Sequence, residues 1–102
     1  MSRKHVLTAY AYDKRGKLLA VGHNSYTKSH PLQKHFAELE GKPNGIFLHA
    51  EIAALIKCGD KIPYKLSIER YYMDGTPALA APCKICRAAI KAFGVTKIEY
   101  TI

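Results

Sequence analysis

Apolar and polar positions along this chain switch between two periods, and the switches mark the elements. Residues 6–12 (VLTAYAY) are apolar at most positions on both sides of the pleat, the pattern of a central strand. Asp13-Lys14-Arg15-Gly16 is a turn signal, and residues 17–22 (KLLAVG) return as the second strand of an antiparallel hairpin. Residues 25–45 are polar and hold two prolines and two glycines, which reads as a long loop with a helical turn near 33–39. A loop of that length in a small domain points to function. Residues 49–58 space Ile52, Ala53, Leu55 and Ile56 as one face of a helix, with Gly59 as its stop. Residues 66–73 (LSIERYYM) read as a strand ended by Asp74-Gly75. Pro82 stands where helices take proline, just inside the start, and residues 83–93 continue with Ile85, Ala88, Ala89 and Phe93 as an apolar stripe before Gly94. Residues 95–102 set Ile98, Tyr100 and Ile102 against Lys97, Glu99 and Thr101, a half-buried last strand. The order β-β-α-β-α-β is that of an α/β domain whose last two steps are right-handed crossovers between parallel strands.

Bulk properties narrow the class. The 102 residues fit a single domain, 1–102, that buries roughly 60–70% of its unfolded surface. A hydrophobic fraction of 48% excludes a disordered chain. No apolar run is long enough to span a bilayer, and Met-Ser-Arg-Lys-His lacks the apolar core of a signal peptide. The expectation is a cytoplasmic protein with no membrane partner. Three cysteines, two of them in C-x-x-C, favour metal or redox use over a disulfide framework. A net charge of +8 favours phosphate-bearing partners, nucleotides or nucleic acid. The basic residues are scattered, so a solvated basic surface accounts for the charge equally well.

The chemistry lies in His49-Ala50-Glu51 and, far downstream, Pro82-Cys83-Lys84-Ile85-Cys86. One imidazole and two thiolates can hold a zinc ion with its fourth position open, the arrangement of catalytic zinc. Cys83 and Cys86 share a helix face at a spacing of three, and the first helical turn favours thiolate at Cys83. Residues 49 and 51 would stand about 200° apart on a regular helix. They can serve one site only at a helix tip, so the metal is expected between two helix ends. Zinc lowers the pKa of its water to about 7, and Glu51 is placed to take that proton. H-x-E followed by P-C-x-x-C is the zinc-deaminase signature. On these residues the chain resembles the cytidine/deoxycytidylate deaminase superfamily over residues 6–102.

The resemblance implies a mixed sheet of about four strands in spatial order 2-1-3-4, with two main helices bearing the ligands His49, Cys83 and Cys86. It implies Zn2+ and no organic cofactor. It implies attack on C4 of a cytosine ring, with Glu51 passing the proton to N3 as ammonia leaves. By the same resemblance Asn24 meets a sugar hydroxyl, the Ala50 N–H meets the pyrimidine O2, and the Ala81 carbonyl accepts from the exocyclic amine. Superfamily members carry a helix before this span and further helix and strand after it. The fourth strand is therefore expected to be an edge that another subunit caps, giving a homo-oligomer. Residues 74–81 make a longer connection than in many members.

Residues 26–47 are expected to close over the pocket, offering Tyr26, Lys28, His30, Lys34, His35 and Phe47. Phe47 is a stacking candidate or a core anchor. Alternation allows only one of Tyr71 and Tyr72 to face the pocket, and Tyr72 is taken as that one. Other readings compete. Asn24 also suits a hairpin turn. Cys58 could complete a structural zinc site, but it lies about 13 Å from His49 along the helix and on the opposite face. His30 or His35 would be a superfluous fourth ligand. A redox C-x-x-C leaves His49-Ala50-Glu51 unexplained. The expected activity is deamination of a cytosine-containing free nucleoside or nucleotide. The alternatives are deamination of cytosine, less readily adenine, in single-stranded nucleic acid, and a non-catalytic zinc-stabilised binding module. Small size favours the first and basic charge the second.

Overall fold

Seven elements follow one another in the computed structural model, which describes residues 5–25, 29–41 and 48–101. They are β1 (His5–Tyr12), β2 (Leu18–His23), α1 (Pro31–Leu39), α2 (Ala50–Lys57), β3 (Lys65–Tyr72), α3 (Lys84–Ala92) and β4 (Lys97–Tyr100). The strands form one sheet in the order β2-β1-β3-β4. β1 is antiparallel to both β2 and β3, and β3 runs parallel to β4. The chain therefore passes through α2 from β2 across β1 to β3, and through α3 from β3 to its neighbour β4.

Small side chains set how the helices sit. Ala9 pairs with Gly22 and Ala11 with Ala20 across β1 and β2. These residues form a shallow floor on which α2 lies through Ala50, Ala53 and Ala54, all buried. The approach is closest at Gly22, where a Cβ would stand 2.3 Å from the Ala54 nitrogen and 2.5 Å from the Ala50 oxygen. Only glycine fits under the helix backbone there. On β3, Leu66 and Ile68 face the same side and join Ile52, Leu55, Ile85 and Ala89 in the core.

Four expectations need correction. β1 is central but not covered on both faces: Val6 is exposed, and Thr8, Tyr10 and Tyr12 are only half-buried. The stretch read as a long loop with a helical turn near 33–39 contains a full nine-residue helix, α1. Pro31 occupies its first turn, and the His30 Nδ1 accepts the Leu32 N–H at 3.0 Å, so a proline counted toward the loop opens a helix here. Pro82 lies before its helix, since Cys83 is the N-cap of α3. β4 is four residues long, with Ile98 half-buried and Tyr100 exposed.

The long connection after β3 folds back on it. Gly75, at φ +88°, turns the chain, Tyr72 N–H donates to the Thr76 carbonyl at 2.9 Å, and Ala78 N–H donates to the Arg70 carbonyl at 2.9 Å. The Arg70 guanidinium reaches the Leu79 carbonyl at 3.1 Å. Thr101 Oγ1 donates to the Ala78 carbonyl at 2.7 Å, and Ala80 N–H donates to the Thr101 carbonyl at 2.9 Å. The extra residues are thus pinned between β3 and the end of β4 before the chain enters Pro82-Cys83.

Candidate active site

Two helix tips converge. His49 is the N-cap of α2 with extended backbone, φ −84° and ψ 153°, so its side chain leaves the helical progression. Glu51 is the second helical residue. This is how residues 49 and 51 escape the opposite faces a regular helix would give them. Cys83 is the N-cap of α3, also extended, and Cys86 stands in the first turn. The His49 Nδ1 lies 3.1 Å from the Cys86 sulfur and 3.5 Å from the Cys83 sulfur. The three donor atoms fall within 4.8 Å of one another. Tetrahedral zinc separates a nitrogen and a sulfur ligand by about 3.6 Å, so a small displacement accommodates the ion.

Charge at the site is shared among these groups. A hydrogen bond from Cys86, with a weaker contribution from His49, outweighs burial and brings the Cys83 thiol down to about 3. The same Cys83 contact, reinforced by burial, pushes the Cys86 thiol up. Hydrogen bonding to Cys83 raises the His49 imidazole although burial opposes it. Burial lifts the Glu51 carboxyl above the usual carboxylate range, and His49 pulls it partly back. Glu51 is 3% exposed, and its Oε1 has no hydrogen-bond partner among the described residues. A sulfur pair, an imidazole and a buried carboxyl with an orphaned oxygen fit zinc that carries a water.

The remaining sequence candidates are placed as follows. Ala50 is the first residue of α2 and fully buried. Ala81 is half-buried and immediately precedes Pro82. Asn24 ends the hairpin: its Oδ1 accepts the Leu7 N–H at 3.0 Å, and its own N–H donates to the Leu7 carbonyl at 3.2 Å. The pairing of β1 with β3 puts Tyr71 opposite Val6 on the open face of the sheet, and Tyr72 alternates onto the helix-bearing face with Leu66 and Ile68. Phe47, Tyr26 and Lys28 lie outside the described residues. Cys58 caps the far end of α2 inside the core and does not join the donor group. His30 and His35 are not in that group either. The sequence reading missed Gln33. It is wholly buried on α1, and its Oε1 accepts the backbone N–H of His49 at 3.2 Å.

Comparison with known proteins agrees with this geometry. Residues 2–102 match the model of the cytidine and deoxycytidylate deaminase zinc-binding region. A crystal structure of a mutant cytidine deaminase from Mycobacterium tuberculosis is similar to this one with a TM-score of 0.51 and 19% identity, over 94% of this chain and 67% of that one. At that identity the likeness shows the fold. No curated protein matches the chain. The donor group His49, Cys83 and Cys86 accordingly makes Zn2+ the cofactor. With the family model spanning nearly all of its length, the chain belongs to the cytidine and deoxycytidylate deaminase zinc-binding family.

Proposed function

We propose that this protein hydrolyses the amino group from cytosine in a free nucleoside or nucleotide, giving the uracil form and ammonia. The observation that carries the reading is the Glu51 carboxyl, buried beside the donor group with Oε1 unpartnered among the described residues. An unsatisfied buried oxygen costs about 1–3 kcal/mol, a cost that a purely structural metal site has no reason to bear. Zinc, when bound, supplies an acidified water at its open position. Glu51 takes a proton from that water and delivers it to the ring N3. The water oxygen stays on C4 as its carbonyl; the water's second proton passes by way of Glu51 to the amino nitrogen, and the C4–N bond breaks to release ammonia. A carboxyl whose proton affinity is raised by burial can hold the proton between the two transfers. In this reading the Ala50 N–H and the Ala81 carbonyl grip the base, the Asn24 amide meets the sugar, and Tyr72 and Phe47 flank the ring.

The net charge of +8 favours a second reading, cytosine in single-stranded nucleic acid. Zinc-loaded protein assayed for ammonia release from cytosine, cytidine, deoxycytidine, their monophosphates and a cytosine-bearing oligonucleotide decides between them. Turnover of a nucleoside or monophosphate, abolished by about 10³-fold or more in Glu51→Gln with zinc retained, is the expected result. Turnover of the oligonucleotide alone, weakening steeply with salt, selects the second reading. Ammonia from none of them leaves a zinc-stabilised binding module. β4 is a sheet edge, so the proposal includes a homo-oligomer, to be read from the mass in solution. No described helix is long and apolar enough to cross a membrane. With its cysteines free, the proposed compartment is the reducing cytoplasm.

A further inference from the structure

Gln33 is a polar residue fully buried on α1. Its neighbours on that face of α1 are Phe36 and Ala37, both buried. Burying a primary amide is unfavourable unless the amide is bonded, so its presence there calls for a partner that needs it. One such partner is the His49 N–H, which Gln33 Oε1 accepts at 3.2 Å.

α2 lacks the usual means of holding its own N-cap. The His49 side chain makes no capping hydrogen bond, because its ring points to the two sulfurs instead. In a capping box the N-cap N–H is bonded by a Glu or Gln three residues on. Here that position is Ile52, wholly buried in the core. Gln33 makes the missing bond from another helix. α1 also packs against α3, the helix that carries both cysteines. One helix therefore bonds the backbone of His49 and packs on the helix that Cys83 caps.

We propose that Gln33 is a positioning residue for the metal ligand His49, fixing the extended N-cap backbone that aims the imidazole at Cys83 and Cys86. The bond determines where the ligand's backbone lies, and zinc affinity follows from how little the imidazole must be reordered on binding. The inference rests on His49 as a zinc ligand and not on deaminase turnover, so it is tested by metal readouts alone.

The test uses Gln33→Met, which keeps length and packing but removes the acceptor, and Gln33→Glu, which restores an acceptor oxygen. Zinc affinity is measured by chelator competition, and the visible spectrum is recorded after replacing zinc by Co2+. Gln33→Met is expected to weaken zinc binding by about 10- to 100-fold and to alter the Co2+ bands, with Gln33→Glu closer to the parent in both. Unchanged zinc affinity and Co2+ bands in Gln33→Met, even with a lower melting temperature, would make Gln33 a packing residue and overturn the proposal. Equal impairment of both variants would overturn it too. Should Gln33→Met fail to fold, Gln33→Asn, whose amide falls one methylene short of His49, carries the same expectation and the same refutation.

Discussion

At the tip of α3 two thiols three residues apart are held unequally. Cys83 is exposed and accepts hydrogen bonds from Cys86 and His49, whereas Cys86 is buried and donates. In the metal-free pair the Cys83 contact and burial hold the Cys86 thiol up. The folded Cys83 value lies below the ordinary thiol value, near 9.0, at about 3. Its thiolate thus stabilises the metal-free fold fully above about pH 9, and that contribution drains away as pH falls toward about 3. At pH 6 the metal-free protein is expected to be alkylated by iodoacetamide at Cys83 first. Cys86 and Cys58 should lag, since burial raises the Cys58 thiol and Cys86 keeps its proton. Zinc loading should protect Cys83. Peptide mass mapping against pH reads the order, and equal labelling of all three would contradict it.

Elements were legible from sequence where their buried face is apolar. α2 has Ile52, Ala53 and Leu55 inside, β3 has Leu66 and Ile68, and both stand within a residue or two of expectation. α1 was legible only as a helical turn near 33–39, because a polar residue, Gln33, lies on its buried face while Leu39 is 64% exposed. The stripe that a periodicity argument looks for is broken on both counts. The donor residues His49, Cys83 and Cys86 and their meeting at two helix tips were legible from residue types and spacing, but the packing beneath them was not. Nothing local in the sequence says that Gly22 touches α2, since that contact depends on how the crossover lands. Gly22→Ala would drive a Cβ into the backbone of α2 beneath the very turn that carries His49 and Glu51. Its cost is expected to be about 3 kcal/mol or more, at the upper end for overpacking. Gly59→Ala is the control. It has open space around it, and only its φ of +60° opposes the change, at about 1–2 kcal/mol. Urea titrations give the order, and a smaller loss at position 22 than at 59 would refute the packing argument.

For the whole molecule, zinc is a cross-link between the tips of α2 and α3, two helices that share one hydrophobic core. α2 is seated on β1 and β2, whereas α3 packs on α1 and on α2, and the donor atoms of His49, Cys83 and Cys86 meet at the tips. α3 also follows the 74–81 connection, which is tied to Arg70 and Thr101 by two hydrogen bonds each. A ligand present at about 1,000 times its Kd stabilises the native state by roughly 4 kcal/mol. For a domain of this size each kcal/mol is worth about 4–8 °C. Chelation is therefore expected to lower the melting temperature by about 15 °C or more. The loss should also be uneven. Amide hydrogen exchange should quicken most in the first turn of α3 and in residues 78–83, less in the first turn of α2, and least in β1 and β3, which neighbours pair on both sides. Uniform quickening across the sheet would mean that the metal holds the core and not the junction. No change in α3 would mean that the cysteines are fixed by packing before any metal arrives.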